Sequence, residues 1–351
     1  YYYDRAGNLI TTVPPQGVRY LNLSDPQVVA RQKASNHGYM TDYEYNSLGQ
    51  LVMQNTPDAG KTTFVYNALG QLRFSQNAQQ LSDSVYSYNK YDYLARVIET
   101  GESSQDINLT LFATFTQQPS YPDDEQYLTQ RTITTYSTPA SITYLDGSTQ
   151  ANLLNRISTI MLDQDGDLMT QHDQTTTSYS YDYGGHTEWL AQSVPIEELT
   201  NPTTTTTPLK AYIKYEYDLI SGNVTKVKYN EGLKDQFYHR YTYDSDNRLI
   251  LTETSCDKVI WDRDAHYEYY LHGPLKRTEI AEDKLQGIDY TYTLQGWLKG
   301  INHASLKIPN DPGMDGASQS LFAKDAFGMG LGYFNGDFTR SGSAFNSNNP
   351  Y

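Results

Sequence analysis

The 351-residue chain carries 26 Lys and Arg against 41 Asp and Glu, a formal net charge of −15 at pH 7. No basic cluster stands out to meet a phosphate backbone, so nucleic-acid binding is not expected. The one cysteine, Cys256, excludes an internal disulfide, and no apolar run has membrane-spanning length.

"YYYDRAGNLI" (1–10) sets out Tyr1, Tyr3, Asp4, Gly7, Asn8 and Leu9. "YEYNSLGQLV" (43–52) and "FVYNALGQLR" (64–73) restate it. Gly49 and Gly70 lie 21 residues apart, and Gly7 lies 42 before Gly49. "KYDYLARVIETG" follows with Tyr91, Asp92, Arg96 and Val97, and with Ala95 in the glycine slot. "YSYDYGGH" (Tyr179, Tyr181, Asp182, Gly185), "YEYDLISGNV" (Tyr215, Tyr217, Asp218, Gly222) and "YTYDSDNRLI" (Tyr241, Tyr243, Asp244, Asn247, Arg248, Leu249) carry it onward. "YEYYLHGPLK" and "YTYTLQGWLK" close the series at Tyr269 with Gly273 and Tyr292 with Gly296. Repetition of this kind decides the architecture before any single residue is interpreted.

Tyr-x-Tyr sends both rings to one face of a strand. The Asp or Asn that follows can bond the backbone two residues on and start a turn. Three residues later comes Gly, where a type I turn running into a bulge needs a left-handed residue. Asn247 suits the same slot. The unit is therefore a β-hairpin, and hairpins must stack to bury an apolar face. With 33 Tyr, 24 Gly and only 6 Met, composition agrees. The predicted fold is all-β: stacked hairpin repeats in one continuous curved or spiral sheet of roughly 18 strands, on the order of 90 Å across them.

Residues 1–101 form regular repeats. Residues 102–178 break the pattern and read as a variant β segment of the same array, with longer strands around an Asp146-Gly147 hairpin signal. Within it "NLLNRISTIML" (152–162) reads equally as a helix or as two strands. Repeats return over 179–301, interrupted by a Thr-rich, Pro-bounded surface loop at 200–210. Residues 302–351 are Gly- and Asn-rich, with "NDPGMDGAS" as a loop and a final hairpin turning at Asn335-Gly336. The chain opens inside a repeat without Met, so it is expected to be an excerpt of a longer protein, with any targeting segment outside it.

Residues that could carry chemistry are few. Asp163, Asp165 and Asp167 in "LDQDGD" are closely spaced, but Gly166 precedes the third acid and position twelve of the loop is Gln174. A calcium loop of the helix-loop-helix kind wants the reverse order and a Glu there; an acidic hairpin turn is the better reading. His186 and Glu188 share a strand face, yet two ligands do not make a metal site. Cys256, with Asp257 beside it and His266 ten residues on, lacks a third member and oxyanion glycines. No HExxH, GxSxG, P-loop or dinucleotide fingerprint appears. No catalytic, cofactor-binding or metal residue is assigned, and no cofactor is expected.

Tyr-x-Tyr-Asp-x-x-Gly-Arg-Leu at this spacing, over about 1–100 and 179–300, resembles the YD-repeat or RHS-repeat family. "KYDYLARVIETGE", "DYTYTLQGWLKGIN" and "KDAFGMGLGYF" look like YD-repeat proteins of the Bacteroidota. The resemblance implies a spiral β-sheet wrapped into a hollow shell, as in polymorphic toxins, insecticidal toxin-complex subunits and teneurins. In bacterial members the shell typically encloses a C-terminal effector. The DPxGL-type core signature, whose segment houses the self-cleaving aspartates of related toxins, is missing, so no catalytic residue carries over. The expectation is a non-enzymatic module of a secreted or surface shell whose partner is an attached effector or the rest of the shell. The alternative is an adhesion surface that binds cell-surface glycan through exposed aromatics.

Overall fold

Each Tyr-x-Tyr unit ends a strand, and each glycine slot turns the chain back. The computed structural model describes residues 1–14, 38–105, 116–164, 174–195 and 209–333. Over these it contains 21 strands, all paired antiparallel, where the repeats alone suggest roughly 18. The chain divides into two compact units, Tyr1–Ala211 and Tyr212–Tyr351.

Unit 1 is a run of hairpins: β1 (Tyr2–Tyr3) with β2 (Leu9–Thr12), β3 (Thr41–Tyr45) with β4 (Leu51–Thr56), and β5 (Gly60–Tyr66) with β6 (Leu72–Gln76). Then come β7 (Tyr86–Tyr91) with β8 (Val97–Ser103), β9 (Leu128–Tyr136) with β10 (Ile157–Asp163), and β11 (Thr175–Tyr181) with β12 (Thr187–Val194). Each strand pairs with the next in sequence from β1 to β12. A short helix, α1 (Ala78–Asp83), joins β6 to β7. Asn77 caps it, and its side chain and that of Gln80 bond each other's backbone N–H.

The "NLLNRISTIML" segment is neither a helix nor two strands. Asn152 and Asn155 take φ of 55° and 59°, which breaks any helix, and one strand, β10, follows. Asp146-Gly147 does make a tight turn, closed by a single bridge between Thr143 and Thr149. The unit's core gathers Phe74, Tyr86, Tyr88, Tyr121 and Leu128. Phe74 meets the Tyr86 and Tyr121 rings edge-on at 5.6 and 5.9 Å, a favoured aromatic geometry.

Unit 2 continues the pattern with β13 (Leu209–Tyr217) and β14 (Val224–Tyr229), β15 (Phe237–Tyr243) and β16 (Leu249–Ser255), and β17 (Asp262–Tyr269) and β18 (Leu275–Ile280). It ends with β19 (Gln286–Tyr292), β20 (Leu298–Ile301) and β21 (Met329–Gly330), again paired in chain order. Its strands are mostly half-buried. Its deepest side chains include polar ones: Asn230, Arg277, Asp289, Asn302, Asp311, Asp315 and Asp325. "NDPGMDGAS" is a loop; the hairpin expected at Asn335-Gly336 and residues 200–208 of the Thr-rich run lie outside the described residues.

Among the described residues no helix is long and apolar enough to cross a membrane.

Candidate functional site

The repeat's polar residues are spent on its own turn. In the β7–β8 hairpin the Asp92 carboxylate accepts from the Leu94 and Arg96 backbone N–H groups, both at 2.9 Å, and from Arg96 Nε at 2.7 Å. Asp244 does the same with Asp246 and Arg248. The Arg248 backbone bond leads, and the guanidinium adds to it, in holding the Asp244 carboxyl below its usual range. Asn46 and Asn67 reproduce the pattern with Gln50 and Gln71 as side-chain partners. The glycine slot is left-handed throughout: φ is 75° at Gly49, 80° at Gly70, 73° at Gly222, 115° at Gly273 and 84° at Gly296, with Asn247 at 61° and Ala95 at 65°. A bulge sits at the second tyrosine of most hairpins, including Glu44/Tyr45, Val65/Tyr66 and Thr242/Tyr243.

That tyrosine then reaches the neighbouring hairpin. Tyr66, Tyr91, Tyr136, Tyr181, Tyr243 and Tyr269 donate their hydroxyls to the carbonyls of Leu51, Leu72, Val97, Ile157, Val224 and Leu249, at 2.8–3.0 Å. Each acceptor is the first residue of a return strand, two residues past the last backbone pair with the next hairpin. The Val224 carbonyl, for example, lies beyond Lys226↔Arg240, and Leu51 beyond Met53↔Thr63. The hydroxyl thus extends the ladder between hairpins past its last backbone pair. Arg96 and Arg248 also lie over the next hairpin's ring, 4.1 Å from Tyr136 and 4.7 Å from Tyr269.

The residues singled out in the sequence are placed as follows. Asp163 is not on a turn: it is the buried last residue of β10, 3.6 Å from Arg131. Asp165 and Asp167 lie outside the described residues. Arg131 also reaches Glu99, which accepts from the Tyr88 hydroxyl at 2.7 Å and pairs with Lys90 at 3.0 Å. Burial first, and then Glu99, push the Tyr88 hydroxyl pKa upward. His186 occupies the repeat's Arg slot, its Nδ1 3.0 Å from Asp182. Glu188 follows it in β12. Cys256 is exposed. Asp257 caps a turn by accepting from the backbone of Val259 and Ile260, and His266 faces Glu279 at 3.5 Å.

The sequence reading missed a cluster in unit 2. Arg277 on β18 bonds Asp289 of β19 at 2.6 Å and Asp315 of the following loop at 2.8 Å. The backbone comes close: a Cβ on Gly287 or Gly313 would overlap the guanidinium. Burial alone would lower the Arg277 pKa, but the carboxylates of Asp315 and Asp289 outweigh it and raise it. Asp289 is nevertheless raised, since burial and the neighbouring Asp311 and Asp315 exceed what Arg277 supplies. Asp325, bonded by Asn302 Nδ2 at 2.9 Å, is pushed up to about 7 by burial and then by Asp311, Asp315 and Asp289. A cleft of about 560 Å³, lined in part by Arg277, Asp289, Asp315 and Phe322, opens beside the cluster. "GIDYTY" gave the only sequence hint, an acid on a strand amid tyrosines.

No family model matches the sequence. Over 105 residues, 29% of this chain and 3% of the relative, it is 29% identical to Salivary gland surface protein 1 of Aedes aegypti. Among solved structures it resembles TcdB2-TccC3 (TM-score 0.53, 14% identity, 86% of this chain and 13% of that one). It also resembles TcdB2-TccC3-Cdc42 and the Photorhabdus luminescens Tc holotoxin pore with the TccC3-D651A mutation, each with TM-score 0.53, 15% identity, 86% of this chain and 12% of the other. The chain spans about an eighth of these structures. The likeness is one of fold, and the fold is the YD/RHS-type sheet of stacked hairpins.

Proposed function

We propose that the chain is a structural, non-enzymatic stretch of a YD/RHS-type shell wall in a secreted or surface-exposed toxin-like assembly, where it encloses or presents an attached effector domain. What carries this reading is the tyrosine ladder. Its hydroxyls are consumed in joining hairpin to hairpin and its turn carboxylates in shaping the turns, which suits a wall better than a reaction site. The fold likeness to toxin structures supports the same reading. The test is limited proteolysis of the native polypeptide. A domain joined to this wall should resist digestion until the wall is unfolded, then be cut as fast as the free domain. Equal cutting rates before and after unfolding would sink the proposal.

A second reading, adhesion to cell-surface glycan, is favoured by Tyr93 and Tyr183, which stand 92% and 98% exposed at hairpin tips. Rings so placed could stack on sugars. Glycan-array binding that is lost on Tyr93→Ala and Tyr183→Ala would bring this reading forward.

A further inference from the structure

The carboxylates of Asp289, Asp311 and Asp315 are all buried, with oxygens within 4.8 Å of one another. Asp325 is buried beside them. Four acids thus share a region with one guanidinium, Arg277, which engages Asp289 and Asp315 and is also drawn to a fifth acid, Glu279, at 3.6 Å. The two lysines on the cleft do not redress this: Lys276 is paired with Glu268 at 2.8 Å, and Lys284 sits 5.6 Å from the Phe322 ring. Independently of the charge count, Asp311 has an unmet oxygen. The residue is 6% exposed; its Oδ2 accepts from the Asp315 backbone N–H at 2.9 Å, while its buried Oδ1 receives no N–H or hydroxyl donor among the described residues, and the carboxyl beside it is that of Asp325. A desolvated carboxylate oxygen calls for a positive partner.

We propose that Asp289, Asp311 and Asp315 form a binding site for a divalent cation, Ca²⁺ in preference to Mg²⁺, reached from the adjoining cleft. The donors are hard oxygens, which exclude the softer metals. Ligand oxygens spread over 4.8 Å can all be met by an ion that bonds at about 2.3–2.6 Å. Ca²⁺ accepts irregular geometry, whereas Mg²⁺ demands a near-ideal octahedron. Arg277 holds Asp289 and Asp315 in place from the outer side. An ion there would fasten the loop bearing Asp311 and Asp315 to β19.

The test strips the chain with a chelator and titrates it with CaCl₂ by calorimetry near pH 7.5, with hydrogen exchange followed in parallel. The expected result is one Ca²⁺ per chain and an affinity loss of at least about tenfold in Asp311→Asn. Asp246→Asn, which removes an exposed acid from the turn between β15 and β16, should leave the affinity unchanged. In the wild-type chain, which needs no variant to fold, Ca²⁺ should slow exchange over residues 308–316. Absence of saturable binding overturns the site. Binding that survives Asp311→Asn, or that leaves exchange at 308–316 unchanged, overturns it equally.

Discussion

Tyr243 donates its hydroxyl proton at 2.9 Å to the carbonyl of Val224, the first residue of the preceding return strand. The bond lies past the end of the β14–β15 ladder, so it serves a carbonyl beyond the last backbone pair with β15. Tyr243→Phe should therefore cost about 0.5–1.5 kcal/mol, the net worth of one hydrogen bond. Tyr243→Ala also removes a half-buried ring and should cost about 1.5–3 kcal/mol. Denaturant unfolding of both variants checks this. An unchanged midpoint in Tyr243→Ala would mean that the ring serves a ligand and not the sheet.

Ala95 holds the left-handed turn position, φ 65°, that glycine fills in most other hairpins. A Cβ there crowds the following carbonyl at about 1–2 kcal/mol. Ala95→Gly should relieve most of this, less the entropy that glycine adds to the unfolded chain, for a net gain of about 0.5–1 kcal/mol. Thermal unfolding should show a higher midpoint. A lower one would place some packing role on the Ala95 methyl.

The turns were legible in the sequence because their determinants are local. An Asp or Asn, with Gly three residues later, fixes the turn by its own backbone bonds, and Asn247 could be recognised as the substitute. The ladder was half legible. Periodicity put the tyrosines on one face, but the carbonyl each one reaches depends on the register between hairpins and on where that pairing stops. The capping box of α1, Asn77 with Gln80, was on the page but lay inside a stretch that otherwise read as hairpins. Asp163 was misplaced because "LDQDGD" looks like a turn throughout, while its first acid closes a strand and meets Arg131 from β9. The Arg277 cluster was hidden because Asp289, Asp315 and Asp325 come from a strand and a long loop with no motif spacing between them.

Glu99 sets a pH dependence in unit 1. Burial alone would raise its carboxyl, but the Tyr88 hydroxyl, Lys90 and Arg131 outweigh burial and hold it below its usual 4.5. A lowered folded pKa means the contribution is complete above the unfolded carboxyl's range and is lost as pH falls through the folded value. Glu99→Gln should cost about 3 kcal/mol at neutral pH, since it leaves Lys90 buried without its counter-charge and Arg131 with Asp163 alone. The gap between wild type and variant should narrow in unfolding experiments taken below about pH 4. A gap that stays constant down to strong acid would remove Glu99 from the account.

The last prediction concerns how closely the loop after β20 covers Arg277. Gly313 lies so near that a methyl there would overlap Arg277 Nη1 and Asp289 Oδ2. Its backbone is not left-handed, so Gly313→Ala tests contact alone, free of dihedral strain. The methyl must either lift the loop or part the Arg277–Asp289 pair, and parting a buried ion pair costs about 3–5 kcal/mol. Gly49→Ala is the natural control. Nothing lies within 4 Å of a Cβ at that position, but φ is 75°, so its cost is dihedral strain of about 1–2 kcal/mol. Side-by-side denaturant unfolding should rank Gly313→Ala as the more damaging change. The reverse order would mean that the loop yields without disturbing Arg277, and that the Asp315 carboxylate is held less firmly on Arg277 than its hydrogen bonds imply.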